Sequence, residues 1–175
     1  MANRTTAAGA QTRFDAFEFS ADGGEIAGEI DARTLPRVVD LLAASAGPAP
    51  MAWRIAGGHD GLGRPSLTVR LDGAVPLVCQ RCLQPYAAAV SQQTELLLAR
   101  DGAELARLDA EETEVVLANA MLDPRTLVED ELLLSLPLSP RHAEEACAAA
   151  RAFSAARPEP SPFASLAALK TRDPG

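Results

Sequence analysis

From residue 67 to residue 98 the chain keeps a two-residue rhythm. Leu67, Val69, Leu71, Val75, Leu77 and Cys79 fall on odd positions, and Tyr86, Ala88, Val90, Leu96 and Leu98 on even ones. An extended backbone turns alternate side chains to opposite faces, so each set lies on one face of a strand. Between the runs, Cys79 to Pro85 reads as a knuckle joining two long antiparallel strands. Gly73, midway along the first run, predicts a bulge or bend.

Elsewhere the period lengthens. Pro124 to Leu136 predicts a helix, capped by Asp123, opened by Pro124 and stopped by Pro137. Its leucines point nearly all round, so a mostly buried central helix is expected. A second helix is expected over Thr34–Ala44, with Thr34 as N-cap, Pro36 in the first turn and Val38, Leu41 and Leu42 on one face. Short strands are expected over Gly24–Ile30, Met51–Ala56 and Glu114–Leu117, and a turn over Gly57–Gly61. Phe14–Phe19 reads as a first strand or an aromatic anchor, and Asp101–Glu112 as a loop or short helix. The expected architecture is α+β: an antiparallel sheet with a long central hairpin carrying a CxxC knuckle, packed on a buried helix, with a flexible C-terminal tail. By composition, residues 1–13 form a flexible N-terminus and 14–156 a single α+β domain. Residues 157–175 form a Pro-rich linker with a short amphipathic segment, in which Phe163, Leu166 and Leu169 are spaced for one helical face.

Hydrophobic content of 47% over 175 residues is enough for one core, and two sizeable domains would be a squeeze. The formal charge of -8, with 24 acidic against 16 basic residues, argues against a broad basic surface for nucleic-acid phosphates. A small basic region or a basic protein partner stays open. No apolar run is long enough for a bilayer, and the first residues lack a signal-peptide pattern. Three cysteines are too few, and odd in number, for a secreted disulfide scaffold, so a cytoplasmic location is expected.

Cys79 and Cys82 have the spacing of a zinc half-site, in which a tight turn faces two thiolates to one ion. Four ligands are needed, and His142 and Cys147 would complete a Cys3His set. A structural zinc is therefore the candidate cofactor, set against a reduced knuckle without metal. Thiol redox chemistry is the third reading, weakened because CxxC reactivity favours a helix N-terminus and here strands flank the motif. Arg81, between the thiols, is placed to lower a thiol pKa, point to solvent or meet a phosphate. Glu129, Asp130 and Glu131 form an acidic triplet. Successive helical residues point about 100° apart, so convergence on one ion is disfavoured. Pairing of Glu129 or Asp130 with an arginine such as Arg81 or Arg141 would instead pin the helix to the knuckle. His59 reads as a solvated loop residue, and no phosphate loop, nucleophile elbow or dinucleotide fingerprint is present.

Val78–Tyr86 (VCQRCLQPY), Leu127–His142 (LVEDELLLSLPLSPRH) and Ser161–Lys170 (SPFASLAALK) occur in that order. Together they resemble the bacterial YceD family, with its CQRC-type knuckle, acidic helix, LPxxPxH stretch, following cysteine and NPFAxLxxLK tail. The matching positions are Cys79, Arg81, Cys82, Glu129, Asp130, Glu131, Pro137, Pro140, His142, Cys147, Phe163, Leu166 and Leu169. Ser161 departs from the usual asparagine. The resemblance implies a role in accumulation, synthesis or processing of large-subunit ribosomal RNA, with no catalytic residues to carry over. The function expected is a non-enzymatic ribosome-biogenesis factor. Its partners would be a large-subunit RNA precursor, ribosomal proteins or both, with no membrane and no small-molecule substrate. The rivals are a zinc-stabilised interaction module, a thiol oxidoreductase and a metal-dependent nuclease.

Overall fold

The computed structural model describes residues 13–111 and 113–147. The expectations for residues 1–12 and for the segment carrying Phe163, Leu166 and Leu169 lie outside the described residues.

Five strands form one mixed sheet in the order β1-β2-β3-β4-β5. They are β1 (Glu25–Asp31), β2 (Pro50–His59), β3 (Pro65–Val78), β4 (Pro85–Ala99) and β5 (Val115–Leu117). The first four pair antiparallel with sequence neighbours. β5 instead lies parallel to β4, aligning Leu97 with Val115 and Ala99 with Leu117. An intervening helix, α2 (Gly102–Asp109), makes that return possible, since parallel neighbours need a crossover longer than a hairpin turn. α2 starts at Asp101, whose carboxylate accepts from the Ala103 and Glu104 N–H groups.

The apolar side chains on the odd face of β3 are buried, with Leu67, Leu71 and Val75 at zero exposure. Val90, Leu96 and Leu98 of β4 share its core with Ile30, Met51 and Ile55, and with Leu127, Val128 and Leu132 of the helix α3 (Pro124–Ser135). Leu97 and Ala99 face the other way and are buried too, in a satellite core with Leu108 of α2. Hence the unbroken Leu96-Leu97-Leu98 run: each side of the sheet is covered at that end.

The Gly73 bulge does not occur. Register runs unbroken from Ser66 opposite Leu97 to Val78 opposite Pro85, with Gly73 opposite Val90. What requires glycine there is approach: a Cβ would lie 2.9 Å from Met51 Sδ and 3.0 Å from the Pro50 carbonyl oxygen. Gly57 and Gly58 belong to β2 rather than to a turn, and His59 closes that strand exposed to solvent.

Two further segments differ from expectation in part or whole. Phe14–Phe19 takes the anchor reading and not the strand: Asp15 caps a short helix, α1 (Ala16–Ala21), by accepting from the Phe17 and Glu18 N–H groups, and Phe14, Phe17 and Phe19 pack against the core. The Phe14 and Phe19 rings meet at 4.6 Å. The helix expected over 34–44 is replaced by two 3-10 turns, Ala32–Thr34 and Val39–Leu41. Side-chain bonds to the backbone hold this segment and its flanks in place of a helical ladder. The Asp31 carboxylate accepts from the Arg33 and Ala49 N–H groups, Thr34 Oγ donates to the Asp31 carbonyl, and the Arg37 N–H donates to Glu129. Leu35, Val38 and Leu42 still reach the core, while Leu41 is exposed.

α3 is buried on one side only, with Leu134 exposed. Only Thr126 and Leu134 of the helix are exposed, and two members of the acidic triplet take up part of the buried face: Glu129 and Glu131 are buried beside Leu127, Val128 and Leu132. Burial, as the largest cause, raises the Glu131 carboxyl above its ordinary range; Thr94 opposes by hydrogen bonding, and Glu114 and Asp130 add to the rise. A raised folded-state pKa means the charge penalty is absent below the unfolded value of 4.5 and grows as pH rises through the folded value. Glu131→Gln is expected to raise the melting temperature at pH 7 by about 1–2 °C, a small gain because the hydrogen bond with Thr94 already offsets part of the burial penalty. In melting scans across pH the gain should vanish toward pH 4; a loss at pH 7 would contradict it.

Candidate metal centre

The knuckle begins where β3 runs out of partners. The Cys79 N–H donates to the Gln84 carbonyl and the Leu83 N–H to the Cys79 carbonyl, closing the loop into a tight turn. Leu83 takes φ of 60°, the left-handed region that a branched side chain seldom adopts. Its side chain stands 74% exposed. The turn is fastened to the chain beyond α3. The Gln80 N–H donates to the Pro140 carbonyl at 2.9 Å, and Ser139 Oγ donates to Gln80 Oε1 at 3.0 Å. Pro137 and Pro140 restrict the backbone of that bent segment, and beyond it His142 and Cys147 lie against the knuckle.

The result is one cluster. Ligand atoms of Cys79, Cys82, His142 and Cys147 all lie within 4.8 Å of one another. Cys82 Sγ and His142 Nε2 are 3.4 Å apart, close to the edge of a tetrahedron built from zinc–sulfur and zinc–nitrogen bonds of about 2.3 and 2.0 Å. Cys79 and Cys147 are wholly buried, and none of the three thiols forms a disulfide.

The electrostatics favour a cation. Burial pushes the Cys79 thiol up, but N–H groups of Cys82, Arg81 and His142, with the Cys82 thiol, point at its sulfur and hold it down to about 6. Cys82 is moved the other way. The Gln84 N–H lowers it, yet burial and the neighbouring Cys79 and Cys147 leave it raised overall. One thiolate is prepared by the turn, while further negative charge is resisted until a positive ion shares the site. His142 Nδ1 is buried without a hydrogen-bond partner, and the ring packs 5.4 Å from that of Tyr86. Tyr86 walls the cluster, and burial followed by the nearby Cys79 charge raises its phenol. Donor types, separations and charge all fit a Cys3His metal site, in which a bound ion would tie the hairpin to the chain after α3.

The redox setting expected of an active CxxC is missing, since the motif sits in a turn between strands and not at a helix start. Arg81 lies half-buried in the turn, its N–H among those aimed at Cys79. The acidic triplet is elsewhere and does not join the cluster. Its arginine is Arg37, not Arg81 or Arg141. Glu129 accepts from the Arg37 N–H at 2.7 Å and pairs with its guanidinium at 3.2 Å, while Asp130 takes the same guanidinium. Arg37 was not singled out from sequence, and its only signal was a cation just after Leu35-Pro36. Glu129→Ala should cost about 1–3 kcal/mol, because it leaves a half-buried N–H without its acceptor, whereas Glu129→Gln keeps an acceptor oxygen and should cost less. Urea titration of both variants distinguishes this pinning role from a catalytic one, for which the two would be equally stable.

A family model described as "Large ribosomal RNA subunit accumulation protein YceD" matches residues 67–170, more than half of the chain and all four residues of the cluster. No curated protein and no solved structure matches.

Proposed function

The chain belongs to the YceD family, and from that premise we propose that it is a non-catalytic factor for accumulation of large-subunit ribosomal RNA, built around a zinc-stabilised head. The observation that carries this reading is the family match over residues 67–170, which spans the knuckle, α3 and the cluster. The net charge of -8 favours contact with basic ribosomal proteins over a broad embrace of RNA. A cytoplasmic location follows from the same role, and no helix among the described residues is long and apolar enough to cross a membrane.

Zinc is the ion favoured, because three thiolates and one imidazole suit it and a set closed by four protein ligands is structural rather than catalytic. Such an ion supplies a tetrahedral cross-link. The engagement of Glu129 and Asp130 by Arg37 speaks against the nuclease alternative, since both carboxylates are already held by one guanidinium.

Depletion of the protein is expected to lower the ratio of large- to small-subunit ribosomal RNA, and the tagged protein should co-sediment with large-subunit precursors at low salt. An unchanged ratio together with protein confined to the soluble fractions would refute the assignment.

A further inference from the structure

Beside the knuckle lies a groove of about 480 Å³, lined by Leu77, Leu83, Leu133, Leu136 and Leu138, with Asp40 its one charged lining residue. Its rim is unusually apolar for a surface: Leu138 is fully exposed, Leu83 is 74% exposed and Leu41 51%. Patches of this kind on a soluble domain mark a place where something docks. Two of the three motif stretches build it, because the Gln80 N–H to Pro140 carbonyl bond brings the CQRC turn against the LPLSP segment.

The third stretch is Ser161–Lys170, and the chain's own geometry brings it within reach. Cys147 is held in the cluster beside Cys79 and Cys82, while the groove's Gln80 is next to Cys79 and its Pro140 two residues from His142. The 15 residues from 148 to 162 span up to about 50 Å when extended, ample for a start at the groove's edge. Tethering at such range gives an effective concentration in the millimolar range, so modest affinity suffices. Phe163, Leu166 and Leu169 recur at helical spacing as an apolar face. Lys170 follows them, opposite in charge to Asp40.

We propose that the Phe163–Leu166–Leu169 face of this chain's C-terminal segment seats in the groove formed by the knuckle and the end of α3, so that the tail covers its own domain. The inference stands on the groove and the tether, and survives or fails independently of the ribosomal role and of the metal.

The test uses the full chain carrying a benzophenone side chain at position 163, irradiated at low micromolar concentration and mapped by mass spectrometry. The expected result is a cross-link within one chain to the segments around Leu41, Leu83 or Leu138. Its yield should fall about fivefold or more in Leu138→Glu and Leu83→Glu, the equivalent of about 1 kcal/mol of docking. Both positions are exposed, so these variants keep the fold, which circular dichroism checks. Cross-links joining two chains would overturn the proposal in favour of a second copy, and so would attachment elsewhere on the domain, capture only of a foreign partner, or no cross-link.

Discussion

Chelation of the Cys79–Cys82–His142–Cys147 centre is expected to lower the melting temperature by about 10 °C, and Cys147→Ser should do the same without a chelator. The reasoning is topological. The cluster joins positions 60 residues apart, Cys82 and His142. A cross-link closing a loop of that size removes several kcal/mol of chain entropy from the unfolded state, and a domain of this length loses about 2–4 °C per kcal/mol. The effect stays below that in a bare zinc finger, because the sheet has its own core and the Gln80–Pro140 bond also holds the two segments together. Protein purified without chelators should carry close to one zinc per chain by elemental analysis. Metal far below that, with identical melting curves in the presence and absence of chelator, would remove the centre from the account.

Gly57→Ala should destabilise the fold by about 3 kcal/mol while Gly58→Ala, one residue along the same strand, stays near neutral. A Cβ on Gly57 would stand 2.3 Å from the Phe19 carbonyl oxygen and 2.8 Å from Ser20 Cα, both backbone atoms of α1. Backbone cannot rotate out of the way as a side chain can, so α1 must shift off β2 and lose the packing of Phe19 and Ser20. At Gly58 an added Cβ meets nothing within 4 Å. Denaturant titration of the pair isolates the close approach from the general effect of replacing glycine in a strand. Equal midpoints would mean that α1 does not lie where it is placed.

Much of this architecture was legible in the alternation of residues 67–98, because a strand with one buried face declares itself at every second position. The candidate centre was legible too, since the Cys79/Cys82 pair at knuckle spacing needs two more ligands and this chain has only one other cysteine and two histidines to offer. Two things hid the rest. The 34–44 segment has helical periodicity, yet Arg125 takes its Thr34 carbonyl and Glu129 takes its Arg37 N–H from 92 residues away. Such a long-range competitor leaves no local trace. β5 was visible as a strand but not as a parallel one, because direction depends on whether the intervening residues fold as a crossover, and Asp101–Glu112 was open to both readings.

The four-residue cluster also sets an order in time. A ribosome delivers Cys79 and Cys82 with the hairpin that holds them, and His142 and Cys147 only after α3 has been made. Because each antiparallel strand pairs with its sequence neighbour, the sheet can assemble strand by strand as the chain emerges. The centre cannot close until the sheet and α3 have been made, so its closure marks an assembled domain.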